Sequence, residues 1–343
     1  MRTNLITGID TAKGLAIAWQ VPFLGVNHMQ AHALTPRLVS ALDAVDGISD
    51  EPLKPKPAFP FLSLLVSGGN SMLVHSRDIC SHEILASTTD MAIGDMLDKC
   101  ARLILPKNLI ESSPSVSYGP SLELYAFPDT GQIVEYDYHP LTSKRYGPKS
   151  QSNVSTTRTR SLMPLSWSIA PPMSKTQKGG PAVLASKFAF SEIGSSVKRI
   201  LNRNPDISMG DAERRVLARE VMRAAFEHLT SRVLVALKGQ GVVEHVKSLV
   251  VSGGVASNQY LKHILRTTLD ANGHREIDLV FPPPELCTDN AAMIAWTGIE
   301  MWEAGYRTNL DAMALKKWSI DSKAQDGGIL EAKGWRQEIL QRS

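Results

Sequence analysis

Two histidines four residues apart, His28 and His32, lie in the stretch NHMQAHALTPRL at positions 27–38, directly after the apolar run VPFLGV. If that stretch is helical, the spacing puts both imidazoles on one face, as a metal ion needs from two nitrogen ligands. A zinc protease of the HExxH kind needs a glutamate immediately after the first histidine as its general base; Met29 stands there instead. Two imidazoles also need a third ligand, and PPPELCTDNAAMIAWTG offers Asp289 just ahead of an apolar helical pattern. A plainer reading uses the same residues: two ordinary histidines on a surface helix, and an aspartate that caps another helix. Spacing alone leaves both readings open.

A second chemistry-bearing feature occurs twice. LLVSGGN at 64–70 and LVVSGGVASN at 249–258 each run from a buried-strand pattern into Ser-Gly-Gly. Glycines let backbone N–H groups approach an oxyanion closely, and a helix N-terminus adds favourable partial charge. One such turn is weak, since most glycine turns only reverse the chain. Two at equivalent strand ends predict a nucleotide cradled between them.

These residues must be positioned by the elements around them. The first third alternates helix-like and strand-like patterns: LITGIDTAKGLAIAW as helix, PFLGV as strand, MQAHALTPRLVSALDAV as helix. Such alternation predicts an α/β architecture with a parallel sheet. The Pro-rich EPLKPKPAFP then leads to FLSLLVSGGNSMLVHS, two apolar runs joined by Gly-Gly, which predicts an antiparallel hairpin. AIGDMLDKCARLI carries Ile93, Leu97, Ala101 and Ile104 at helical spacing. From Asp211 to Leu237 the periodicity predicts a long helix capped by the aspartate and ended by Gly239. NQYLKHILRTTLDAN predicts a further helix behind the second SGG turn, while the last forty residues carry no clear motif.

A chain of 343 residues, 43% hydrophobic, can bury a sizeable core, and its length favours two lobes. No apolar run is long enough to span a bilayer, so membrane residence is not expected. The start MRTNLITGIDTAKG resembles neither a signal peptide nor an Arg-rich transit peptide. Three cysteines (Cys80, Cys100 and Cys287) without a CxxC pair suit a reducing compartment. Tyr138 to Ser191 holds eight basic residues and no acidic one, against a net charge of +3 for the whole chain. That tract is a candidate nucleic-acid contact or, equally simply, a solvated Ser/Thr-rich insertion.

The ordered segments NHMQAHALTPRL, LLVSGGN, GDMLDK, YGPSLE, SGGVASN and CTDNAAMIA resemble the tRNA threonylcarbamoyladenosine synthases, once called O-sialoglycoprotein endopeptidases, over roughly residues 1–300. The mitochondrial branch is the nearest in pattern. The resemblance implies an actin-like (ASKHA, ribonuclease H-like) two-lobed α/β fold. It also implies transfer of a threonylcarbamoyl group from its adenylate to the adenosine after the anticodon, in tRNAs reading codons that begin with A. It makes His28, His32 and Asp289 ligands of one divalent ion per subunit, iron or zinc. Leu65, Val66, Ser67, Gly68 and Gly69 become the loop around the reactive group and phosphate, and Asp98, Gly119 and Asn258 nucleoside contacts. The implied partners are tRNA, a separate synthase that supplies the adenylate, and a second copy in a homodimer. The implied compartment is the mitochondrion.

Residues 1–58 then form part of a first lobe and 59–285 a second, with a basic insertion near 142–180; 286–305 return to the first lobe, and 306–343 are a tail. Asn70 stands where the family often has His after SGG, and GDMLDK replaces its usual Gly-Glu-Ala-Phe-Asp-Lys. The family's opening strand and acidic turn have no counterpart ahead of Met1. The expectation is therefore an N-terminally truncated first lobe that leaves Leu5, Ile9 and Leu15 with little to cover them. Two alternatives remain: an actin-like small-molecule kinase sharing the SGG loops, and an inactive paralogue serving as a binding subunit.

Overall fold

The computed structural model describes residues 2–46, 54–112, 117–128, 136–140, 165–173, 186–203, 209–239, 245–315, 318–325, 328–332 and 334–337. Most of the basic tract falls outside these; of its eight cations only Lys187 is described. A six-stranded mixed sheet in the order β4-β3-β2-β1-β5-β6 organises the molecule. Strands β1 (Phe61–Val66), β2 (Ser71–Ser76) and β3 (His82–Thr88) form an antiparallel meander. The short β4 (Lys187–Phe188) adds parallel to β3. On the other side, β5 (Ser248–Ser252) lies parallel to β1 and β6 (Asp278–Val280) parallel to β5. The expected hairpin is therefore β1–β2, and the sheet is mixed rather than wholly parallel. Because β1 and β5 are parallel neighbours with Leu65 opposite Ser252, their two SGG turns emerge side by side.

Every residue of β1 is buried, as a central strand covered on both faces requires. Period-two alternation divides it. Leu62, Leu64 and Val66 face one core, with α3 (Ile93–Ile104), α6 (Ser191–Leu201), α7 (Asp211–Lys238) and α8 (Gln259–Ala271). Phe61 and Leu65 face a smaller core shared with Leu34, Met301 and residues near the C-terminus. The predicted α3 face Ile93, Leu97, Ala101 and Ile104 is buried as read.

The long helix α7 also holds its neighbours by their ends. Arg215 and Arg219 donate to the carbonyls of Tyr125 and Ala126 at 2.7 Å each, closing the last turn of α5 (Gly119–Ala126). Arg214 donates to Ile104 O at 3.1 Å, at the end of α3 and just ahead of the short α4 (Lys107–Glu111). Cations at helix C-termini satisfy orphan carbonyls and oppose the helix dipole. Gly210 occupies the N-cap of α7, so Asp211 is its first helical residue rather than the predicted cap, and Tyr125 donates to Asp211 Oδ1 at 2.7 Å.

Helix α1 (Arg2–Trp19) forms as read and leaves Leu5, Leu15, Ile17 and Trp19 exposed, while Ala16 is buried. The expected strand PFLGV is not a strand: residues 22–26 belong to neither a helix nor a strand. An apolar run needs a neighbouring ladder to become a strand, and Gly25 N instead donates to Thr308 Oγ1 at 3.1 Å. The tail is ordered by β7 (Tyr306–Thr308) and β8 (Trp335–Gln337), an antiparallel pair, and Trp318 and Trp335 pack into the smaller core. Among the described residues, no helix is long and apolar enough to cross a membrane.

Candidate metal centre and adjoining cleft

Helix α2 (His28–Asp46) begins where Asn27 stops the chain. The Asn27 Oδ1 accepts from Met29 N at 3.0 Å and Gln30 N at 3.2 Å, while its carbonyl accepts from Ala31 N at 3.0 Å. That is an N-cap, and it puts His28 on the first helical residue with His32 one turn later. Asp289 comes from the short segment after α9 (Pro284–Cys287), immediately before α10 (Ala291–Glu303). The residue that caps α10 is Asn290, whose side chain accepts from Met293 N at 2.9 Å. Asp289 is thereby released from the capping role.

His28 Nε2 and His32 Nε2 lie 3.3 and 3.0 Å from the same oxygen, Asp289 Oδ1, and one ligand atom from each residue falls within 4.8 Å of the others. Ligand bonds of roughly 2.0–2.1 Å set adjacent donor atoms roughly 2.8–3.4 Å apart, so these separations fit two edges of a coordination polyhedron. The rings meet edge to face at 4.7 Å. Burial, and next the neighbouring His28, lower the His32 pKa, against Asp289, which raises it. Both lowering causes favour the neutral imidazole that binds metals. Nε2 is the His32 ring nitrogen that faces Asp289, while its Nδ1 is buried without a hydrogen-bond partner. The donor set of two nitrogens and a carboxylate suits iron or zinc.

Helices α2 and α10 are locked together behind the centre. Arg37 donates to both carboxylate oxygens of Glu300, Nε at 3.0 and 2.8 Å, and its Nη1 reaches the carbonyls of Pro55 and Pro57 at 3.0 and 2.6 Å. Both side chains are almost fully buried, and the guanidinium lies 4.6 Å over the Phe59 ring. A bidentate arginine fixes orientation as well as distance, so it sets the histidines against Asp289.

Both SGG turns line a cavity of about 390 Å³, through Gly68 and Gly254. Of the predicted contacts, Gly68, Asp98, Gly119 and Asn258 line the cavity. Leu65 and Val66 are core residues of β1, so the loop can use their backbone only. Ser67 Oγ accepts from Gly69 N at 3.3 Å and Asn70 N at 3.0 Å, closing its own turn. Asn70 Nδ2 reaches Met29 Sδ at 3.7 Å, tying that turn to the metal helix. Asp98 accepts from Tyr118 N at 2.6 Å and Arg102 Nε at 3.0 Å. Asn258 caps α8 through Leu261 N at 2.9 Å, so its oxygen is committed to the helix.

Close backbone approach explains two glycines. At Gly253, with φ +101°, a Cβ would meet Val66 O at 2.4 Å; at Gly94 it would meet Gly68 N at 2.8 Å. The second SGG turn and the α3 N-terminus both lie hard against the first turn. The starts of α3, α5 and α8 all border the cavity, but the first N–H groups of α8 are taken by Glu123 and Asn258, and Ile93 N and Gly94 N of α3 by Ser71 Oγ and Ser67 O. Sequence reasoning missed Glu123 and Arg102, which also line the cavity. Glu123 accepts from Gln259 N and Tyr260 N at 2.7 and 3.0 Å, and burial raises its pKa against those bonds. The only sequence signal for it was its place at the end of YGPSLE.

Comparison with known proteins follows the same residues. Residues 1–296 match the family described as TsaD, tRNA N6-adenosine threonylcarbamoyltransferase. The chain is 34% identical over 336 residues to the mitochondrial tRNA N6-adenosine threonylcarbamoyltransferase of Schizosaccharomyces pombe, covering 96% of this chain and 66% of that protein. It is 31% identical to the tRNA N6-adenosine threonylcarbamoyltransferase of Methylocapsa acidiphila, covering 94% and 72%. The corresponding Rhizobium meliloti protein is 32% identical, covering 94% and 72%. The chain thus spans about two thirds of the length of these relatives.

Proposed function

Since the chain belongs to the tRNA N6-adenosine threonylcarbamoyltransferase family, we propose that it moves a threonylcarbamoyl group from threonylcarbamoyl-adenylate to the adenosine following the anticodon, in tRNAs reading codons that begin with A. The observation that carries this reading is the convergence of His28, His32 and Asp289 beside a nucleotide-sized cavity walled by both SGG turns. In the transfer the exocyclic amine attacks the carbamoyl carbonyl and the adenylate leaves as AMP. An ion held by the three residues supplies Lewis acidity toward a substrate oxygen. The chain's own groups do the rest. Asp98, held in place by Tyr118 N and Arg102, faces the nucleoside, and Gly119 lets it approach. Gly68 and Gly254 bring the backbone of both SGG turns to the cavity without side chains, so the phosphate and the attacked carbonyl can approach it closely.

The same reading assigns the fold to the actin-like ASKHA class, with residues 59–285 as one lobe and 286–305 returning to residues 1–58. The packing of α10 on α2 supports that return. It takes tRNA as the partner, with the basic tract as a phosphate contact, and mitochondrial residence on the likeness to the fission-yeast protein.

The test is His32→Ala. Elemental analysis of the purified wild-type chain should find about one divalent ion, and the variant should lose it along with most modified adenosine in a tRNA nucleoside digest. A wild-type chain that neither retains nor takes up a divalent ion would sink the metal reading.

A further inference from the structure

Residues beyond the matched family span reach back to the base of the metal helix. Trp318 O accepts a hydrogen bond from Asn27 Nδ2 at 3.0 Å, across 291 positions of sequence. Asn27 is buried, and its other side-chain atom, Oδ1, caps α2 immediately before His28. Both ends of one amide are therefore used, one by the metal helix and one by the tail. The tail contacts the approach to that helix elsewhere too: Thr308 Oγ1 holds Gly25 N at 3.1 Å, and Ala312 O accepts from Lys13. Its far side is anchored on the sheet, where Ser322 N and Oγ both donate to His82 O at 2.9 Å and Lys323 pairs with Glu83.

We infer that Asn27 is a positioning residue for the metal centre and that Trp318 acts through it as a clamp on His28. The inference rests on His28, His32 and Asp289 being a metal site. The physical reason lies in the direction of the Asn27 amide. A cap alone fixes how the chain enters the helix, but the side chain can still swing about its own bonds. Donation to a carbonyl anchored in the smaller core removes that freedom. The first helical residue, which carries one ligand, then has a set orientation. Partners outside the ligand set that orient ligands in this way are worth about 10–100-fold in metal affinity.

The test separates capping from clamping. Asn27→Ser keeps an oxygen able to cap α2 but is too short to donate to Trp318 O. Trp318→Ala leaves the cap intact and loosens the carbonyl's anchorage. Ser322→Ala weakens the tail's attachment to His82 and leaves Asn27 untouched. Each full-length protein is titrated with Co²⁺, following the ligand-field absorbance, and its melting temperature is measured alongside. Asn27→Ser and Trp318→Ala should weaken Co²⁺ binding about tenfold or more, whereas Ser322→Ala should lower melting temperature with wild-type affinity. Wild-type affinity in Asn27→Ser, or an equal loss in Ser322→Ala, would overturn the clamp. Failure of the wild-type chain to bind Co²⁺ at all would instead overturn the metal reading on which it rests.

Discussion

Asn290 and Asp289 are adjacent, both are good cap residues, and only the structure assigns the work: Asn290 holds Met293 N, and Asp289 turns to the histidines. Sequence could not make that choice, because an aspartate before an apolar helix reads as a cap by default. The glycines show the opposite case, where residue type was legible and its reason was not. Gly253 has φ +101° and faces Val66 O, so Gly253→Ala should destabilise the fold by at least ~2 kcal/mol, through backbone strain and the clash. Gly254→Ala meets nothing within 4 Å and should melt close to wild type. Thermal unfolding of the pair checks this, and equal melting temperatures would contradict the close approach of the two turns.

At the scale of elements, α3, α7 and α8 were readable because their apolar residues recur at helical spacing over several turns. The stretch PFLGV failed because composition made it strand-like while its partner is a threonine hydroxyl of the tail. The tail itself was illegible: β7 and β8 are three residues each, too short to show a period, and join across 27 positions. Between α2 and α10, the Arg37–Glu300 pair was equally invisible, since its members lie 263 positions apart. Breaking it from one side leaves a buried charge alone, so Arg37→Ala should cost roughly 3–5 kcal/mol. Replacing both members by leucine should cost clearly less, because no unpaired charge remains. Urea unfolding of the single and double variants tests this; a double variant as unstable as the single would show that geometry, rather than the stranded carboxylate, dominates.

For the whole molecule, acid should be the sensitive direction. His82 is fully buried, with Nε2 facing Ile79 O at 2.9 Å and Nδ1 facing Ser76 Oγ at 2.9 Å. A carbonyl only accepts, so Nε2 carries the proton and Nδ1 accepts from the serine. Burial is the main cause that lowers its pKa, to about 4 from 6.5. Between those values the unfolded chain binds a proton that the folded chain refuses, so stability rises with pH and is lost on acidification from 6.5 towards 4. At about 1.36 kcal/mol per pKa unit, His82 alone accounts for roughly 3 kcal/mol. Burial pushes His228 and His75 the same way. Urea midpoints measured from pH 4 to 7 should therefore climb with pH, and His82→Gln should flatten the climb. A midpoint that does not change across that range would contradict a buried neutral His82.

The distance along the chain between the candidate ligands has a kinetic meaning. His32 and Asp289 are 257 positions apart, so their meeting closes a loop that includes the whole sheet. Closing so long a loop costs entropy before any contact rewards it, and local helices form far sooner. The candidate metal centre is thus assembled only when the early and late parts of the chain have found each other. On the proposed metal reading, a half-folded chain should show helical signal without the capacity to hold an ion, and acquisition of that capacity should mark a late stage of folding.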